Sequence, residues 1–176
     1  FMTETAELAD VILPGVTIAE KDGTITNTER RVQRIRKAVE PVGESKPEWQ
    51  IICELAQKMG YDMSYNDPGE IMEEIASLTP IYGGMYYNRL DNGGLQWPCL
   101  DANHPGTKYL HKDKFSRGKG KFSAVEFKEA AELPDEEYPF IFTTGRVLYH
   151  FHTGTITRRS KGLDEIYPEA LVEINP

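Results

Sequence analysis

Cysteine is scarce in this chain of 176 residues; Cys53 and Cys99 stand alone and far apart. Two distant thiols make neither a disulfide framework nor a CxxC pair, so the expectation is two reduced thiols with at least one buried. Histidine is also scarce, with four. The chain has no Walker-type phosphate loop, no GxGxxG, no GxSxG elbow and no HExxH. Their absence removes the common signatures of nucleotide hydrolysis, Rossmann-type cofactor binding, serine hydrolysis and zinc proteolysis. No apolar run reaches the length of a membrane span, and no signal-peptide pattern is visible. Positive charge is outweighed: 20 Lys and Arg face 28 Asp and Glu, for a formal net charge of −8. That balance disfavours a general nucleic-acid surface and leaves room for a local basic patch.

What remains suits a soluble globular protein, with 39% hydrophobic residues and a mean hydropathy of −0.50. The length allows one ordinary domain or two small pieces. The chain opens on FMTETAELADVILPG and stops at LVEINP, directly after an apolar stretch. Both ends are expected to be cut from a longer polypeptide.

Along the chain, Ala9 to Leu13 is a short apolar run closed by Pro14-Gly15, the pattern of a buried strand. Asp22-Gly23 signals a turn, and Thr24 to Thr28 is expected to be extended or loop-like. The run 29–40 places Val32, Ile35 and Val39 among five basic residues; strand is favoured over helix, and the charges read as a solvated face. Ser45-Lys46-Pro47-Glu48 has the form of a capping box with Pro in the first turn. The helix after it carries Trp49, Ile52, Leu55, Ala56 and Met59 at helical spacing and stops at Gly60. Asp67-Pro68-Gly69-Glu70 repeats the device, with Ile71, Met72, Ile75 and Leu78 as the apolar face and Pro80 as the stop. Residues 81–137 are rich in glycine and aromatics and poor in aliphatics, which predicts an irregular connecting segment pinned by Tyr82, Tyr86, Tyr87, Trp97 and Tyr109. Lys121 to Phe127 alternates like a strand. LPDEEYP is an acidic, proline-bounded linker, and PFIFTTGR starts a β-like run. A domain boundary is expected near 130–138.

The densest chemistry lies in TGRVLYHFHTGTITRR, residues 144–159. On a strand, His150 and His152 would share a face, a spacing that metal sites use, but no third ligand is evident. Thr144-Gly145-Arg146 lets the backbone approach a ligand closely and offers a planar guanidinium to phosphate or carboxylate. The hydroxyls of Thr144, Thr153, Thr155 and Thr157 can donate to phosphate oxygens. A metal site, an anion cradle and a plain polar strand all remain open from the residues alone. Lys21, beside its turn, reads as solvated, and Glu48 as the carboxylate of the capping box.

Several stretches together carry a resemblance. TETAELADVILP, AEKDGTITNTERRVQRIRKAVEP and PEWQII resemble the large catalytic subunits of molybdenum or tungsten bis-pterin oxidoreductases. TTGRVLYHFHTGTITRRS looks like the opening of that family's pterin-dinucleotide-binding domain. MGYDMSYNDPGEIMEEIASLTPIYGG, LQWPC and GTKYLHKDKF resemble formate dehydrogenase α subunits. The fold class so implied is an α/β segment, the end of a molybdopterin oxidoreductase domain over 1–80. An irregular connection over 81–137 follows, then the start of a double-psi β-barrel over 138–176.

The resemblance implies two-electron oxidation of formate to carbon dioxide at molybdenum or tungsten held by two molybdopterin guanine dinucleotides. It implies a 4Fe-4S cluster in a part of the parent that this chain does not include, and an electron-transfer subunit or acceptor protein as partner. The catalytic Cys or selenocysteine has no counterpart here, so no catalytic residue and no metal ligand are expected in this piece. By itself the piece is expected to be inactive and to bind little or no pterin. Carried over by position, Thr144, Gly145, Arg146, Val147, Leu148, Tyr149, His150, Phe151, His152 and Thr153 form the cofactor-contacting stretch. Arg146 and backbone groups would hold pyrophosphate or pterin oxygens, and His150 would lie near the pterin pair. Lys21 matches a lysine that contacts cofactor in the nitrate-reductase branch. Glu48 matches a position, usually Asp, whose carboxylate accepts from the guanine edge. A nitrate reductase or another bis-pterin oxidoreductase, and a non-catalytic scaffold subunit of a respiratory complex, are the alternatives. Cytoplasmic residence is the default expectation.

Overall fold

The computed structural model describes residues 1–174 and separates into two compact units. One comprises Asp10–Gly120, the other Phe1–Ala9 with the residues from Lys121 on. The first unit is a small α/β body around a three-stranded antiparallel sheet. Its strands are β1 (Gly23–Thr26), β2 (Arg31–Ile35) and β3 (Leu95–Gln96), in the order β1-β2-β3. β1 and β2 form a hairpin in which Gly23 faces Ile35 and Thr26 faces Val32. The turn between them is tied by Asn27, whose side-chain oxygen accepts from the N–H groups of Glu29 and Arg31. Arg30 takes a left-handed φ of 69° there. The basic run 29–40 is thus a strand over 31–35, as its sequence favours.

The charges on that strand are not simply solvated. The Arg34 side chain is 14% exposed and stacks on the Tyr87 ring at 3.6 Å. Arg34 and Arg36 both reach Asp91, at 3.3 and 2.6 Å.

Helix α1 (Glu48–Lys58) forms where its apolar spacing and Pro47 place it. The Ser45 capping box does not form. Pro47 is the N-cap residue, no side chain caps the helix, and the Ser45 hydroxyl donates to the Val42 carbonyl instead. The helix ends on Gly60 at φ 84°, where the Gly60 and Tyr61 N–H groups return to Gln57 and Ala56. Helix α2 (Pro68–Leu78) has the cap its sequence announces: the Asp67 carboxylate accepts from Gly69 N–H at 2.6 Å, with Pro68 at N1. Glu70 accepts from Asn66 N–H at 2.8 Å and so braces the entering chain.

The core of this unit comprises Val32, Met72, Met85, Leu90 and Cys99, with Tyr82, Tyr87, Leu95 and Trp97 packed against it. Most of these residues come from the stretch after 80, predicted to be irregular. That stretch forms a short helix α3 (Tyr87–Leu90) and strand β3. Arg89 holds its turns: the guanidinium donates to the carbonyls of Gly84 at 2.6 Å, Asp101 at 3.1 Å and His104 at 2.6 Å. Both cysteines are free and buried.

Ala9 to Leu13 is not a buried strand. Val11, Ile12 and Leu13 are exposed, and residues 9–13 form no strand and join neither edge of the β1-β2-β3 sheet. In the second unit, Lys121 to Phe127 and the run 139–146 form no strand, and Phe140 lies in a bend. The elements formed among the described residues of that unit are 3-10 turns at Ala6–Leu8 and Thr157–Arg159 and helix α4 (Lys161–Ile166). A strand exists only when a neighbour takes its N–H and C=O groups, and alternation in sequence does not supply that neighbour. Asn175 and Pro176, the last residues of the stretch expected to begin a barrel, lie outside the described residues.

Candidate functional site

The candidate residues fall into two groups, one in each unit. In the first, Lys21 and Glu48 are brought together. Thr17 and Glu20 cap the short 3-10 turn Ile18–Glu20 reciprocally, and Lys21 follows directly. Glu48 is the first residue of α1. Lys21 Nζ lies 2.7 Å from Glu48 Oε2. The hydrogen bond from Lys21 holds the Glu48 carboxyl below the ordinary carboxylate range; burial acts the other way, and the backbone N–H groups of Glu48 and Val16 help to lower it. Gly15 lies against this carboxylate, where an added Cβ would sit 3.1 Å from Glu48 Oε1. So neither residue plays the part its local sequence suggested. Lys21 is paired rather than merely solvated, and Glu48 joins the loop at 15–21 to the helix rather than closing a box with Ser45.

In the second unit, residues 144–149 are exposed, and among the described residues no hydrogen bond engages the Arg146 side chain. Gly145 has open space where a Cβ would stand. His150 and His152 are not on one face of a strand, because the chain bends between them. His152 has φ 52° and Gly154 has φ 82°. A Cβ on Gly154 would collide with the Arg158 side chain, at 2.9 Å from Cγ. His152 is exposed, with its ring edge-on to Phe151 at 4.2 Å.

His150 is buried and fully engaged. Nε2 lies 2.7 Å from the Tyr167 carbonyl and Nδ1 3.0 Å from the Thr157 hydroxyl. A carbonyl only accepts, so Nε2 carries the proton. Nδ1 pairs with the Thr157 hydroxyl, whose oxygen also accepts from Phe151 N–H at 3.3 Å. Thr157, Tyr167 and Gly154 are the residues that sequence reasoning did not single out as the setting of this histidine. The only local signal was the glycine between two threonines. The closing arginines are also used internally: Arg158 donates to Asp164 and to the Pro168 carbonyl, and Arg159 to the Met2 carbonyl.

Chemically, the exposed Thr144–Arg146 corner offers a guanidinium, a hydroxyl and open backbone, a donor set that fits a phosphate-bearing ligand. His150 is spent on the fold. Among the described residues no group of three or more His, Cys, Asp or Glu could hold a metal ion, and no helix is long and apolar enough to cross a membrane.

Comparison with known proteins gives a family match and several relatives. Residues 1–58 match the family described as molybdopterin oxidoreductase. The particular relatives follow the chain from end to end. It is 58% identical to the F420-dependent formate dehydrogenase subunit alpha of Methanocaldococcus jannaschii, a match covering 100% of this chain and 27% of that protein. It is 52% identical to the F420-dependent formate dehydrogenase 2 subunit alpha of Methanococcus maripaludis, covering 99% and 26%. The probable oxidoreductase YjgC of Bacillus subtilis is 46% identical, covering 100% and 18%. The chain therefore spans about a quarter or less of the length of these relatives.

Proposed function

We propose that this chain is the cofactor-binding part of a formate dehydrogenase catalytic subunit, and that the whole subunit oxidises formate to carbon dioxide. The observation that carries the reading is end-to-end alignment with subunits named formate dehydrogenase alpha, at 58% and 52% identity. The cofactor is a pair of molybdopterin guanine dinucleotides holding molybdenum or tungsten; when bound it takes two electrons from the substrate. Those electrons leave through an iron–sulfur cluster outside this chain to an electron-transfer subunit or acceptor protein. The parent resides in the cytoplasm.

Within that reading, residues 1–80 close an α/β domain, 81–137 connect, and 138–176 open a double-psi β-barrel whose strands pair within the whole subunit. The exposed apolar residues Phe140, Ile141 and Phe142, at 73%, 75% and 84%, support this, since a short continuous apolar run is what a strand buried on both faces presents. Arg146 and the backbone from Thr144 to Thr153 hold pyrophosphate or pterin oxygens; the open, unengaged guanidinium is what supports that role. His150 shapes the turn that follows, through Thr157 and Tyr167, so that the stretch Val147–Thr153 presents its backbone beside the pterin. Lys21 and Glu48 act as a pair, and on cofactor entry the Glu48 carboxylate accepts from the guanine edge while keeping Lys21 as counterion.

The test is formate-dependent viologen reduction by the full-length parent, with nitrate-dependent viologen oxidation as the control. Turnover with formate alone is expected. Turnover with nitrate alone would move the assignment to the nitrate-reductase branch, and activity with neither in intact protein would favour a scaffold subunit.

A further inference from the structure

One feature outside both candidate groups is the loop 108–119. In an acidic chain it gathers Lys108, Lys112, Lys114, Arg117 and Lys119 against a single carboxylate, Asp113. Every residue from 108 to 119 is exposed, and among the described residues none of the five cations enters an ion pair. Elsewhere in this unit the basic side chains on β2 and those of Lys21 and Lys46 do find carboxylates.

The loop is also built rather than merely charged. At its root, Arg30 donates to the carbonyls of Thr107 at 3.1 Å and Lys108 at 3.2 Å, and Thr107 N–H donates to Gln96 on β3 at 2.9 Å. At its tip, Phe115 and Gly118 form a tight turn, with Gly118 N–H 2.8 Å from the Phe115 carbonyl and Gly118 at φ 93°. The Phe115 ring packs against His111, 5.3 Å between centroids. Within the basic ring stand exposed apolar faces: Tyr109 at 64%, Leu110 at 43% and Phe115 at 49%.

We propose that this loop is a docking surface for an acidic face of the protein that accepts electrons from the full-length enzyme. The inference rests on the proposed function for the existence of that acceptor. An aromatic and aliphatic centre ringed by cations is the composition of a protein interface with a charged rim. A surface made by one twelve-residue loop suits the short-lived contacts of electron transfer, where charge steers the encounter and little area is buried. Its ordered root and tip lower the cost of fixing it on binding. A nucleic acid fits less well. Its charge runs on beyond the patch and would meet the acidic remainder of a chain at net −8, whereas a compact acidic face meets only the loop.

The experiment uses the native complex of the full-length enzyme with the redox subunit that copurifies with it. A zero-length carbodiimide joins amines to carboxylates in contact. Peptide mass spectrometry should find Lys112, Lys114 or Lys119 joined to Asp or Glu of the redox subunit. Links only within the enzyme's own polypeptide, or none from this loop, would overturn the proposal. Independently, the combined variant Lys112→Glu, Lys114→Glu, Lys119→Glu should raise KM for the protein acceptor about tenfold at low salt, with the gap closing towards ~0.5 M salt, while formate-dependent viologen reduction stays unchanged. An unchanged KM sinks the proposal, and salt-sensitive duplex DNA binding that the variant abolishes would give the loop to nucleic acid instead. Absence of formate-dependent viologen reduction in the unmodified enzyme strikes the proposed function and leaves the cross-linking result to judge the loop.

Discussion

The two compact units use similar apolar material to opposite ends. In Asp10–Gly120, Val32, Met85, Leu90 and Cys99 are 1% exposed or less and touch one another across three different stretches of chain. From Lys121 on, Phe122, Val125, Phe142 and Leu148 are between 84% and 100% exposed, and among the described residues the buried side chain is a histidine, His150. The first unit meets its own partners, whereas the second is ordered locally by polar contacts about His150, Thr157 and Arg158. Apolar pattern alone therefore does not make a core; what decides is whether the facing surface belongs to the same chain.

The largest expected effect tests that contrast directly. Leu90→Ala removes a fully buried side chain and should cost about 2–5 kcal/mol, whereas Phe142→Ala should stay within about 0.5 kcal/mol. Urea unfolding of the 176-residue chain followed by circular dichroism reads both units, and tryptophan fluorescence isolates the first, since Trp49 and Trp97 both lie there. Equal losses in the two variants would erase the distinction between the units. A smaller effect belongs to the α2 cap: Asp67→Ala frees two N–H groups and should cost about 1 kcal/mol in the same assay, with Asp67→Asn largely restoring it.

The finest effect is a pH dependence. Glu20 is buried, and its carboxylate accepts from Thr17 N–H at 2.8 Å and Val42 N–H at 3.0 Å. The Thr17 backbone bond is the main reason its carboxyl sits below the ordinary value of 4.5. A depressed folded value means the unfolded chain takes up the proton first. The contribution of Glu20 is therefore complete above the ordinary carboxylate range and is lost as pH falls through the folded value. The urea midpoint of Glu20→Gln should lie below the parent's at pH 7 and approach it on acidification to about pH 3. A gap that is constant with pH would remove Glu20 as the cause.

The punctuated parts of the fold were legible in the sequence. Asp67-Pro68, Pro47 and Gly60 mark helix ends by steric and hydrogen-bonding rules that act within a few residues, and α1 and α2 form where those marks stand. Strand β2 was legible from its apolar spacing and its threonine-rich approach. Strand β3 and the core residues Met85, Leu90 and Cys99 were not. Their burial comes from glycine turns and from the many carbonyls bonded by Arg89, neither of which has a period. Ala9 to Leu13 shows the reverse error, because a short apolar run carries no information about which edge receives it. At the candidate site, the structure leaves Thr144–Arg146 exposed, and its role as a donor corner is a proposal made from the sequence. The pairing of Lys21 with Glu48 spans 27 positions and became visible only once the loop and helix were placed. The two histidines misled because strand alternation assumes an extended chain, and Gly154 with His152 breaks it.

Arg89 has one more consequence. Its guanidinium bonds to the carbonyl of His104, fifteen positions further along, while also holding Gly84 and Asp101. In effect it is a cross-link made by a side chain, closing a ring of backbone much as a disulfide would. Such a clasp is indifferent to reductants, so the segment needs no oxidising surroundings to keep its shape. It answers instead to molecules that compete for guanidinium and carbonyl groups, which gives a chaotrope direct purchase on this ring.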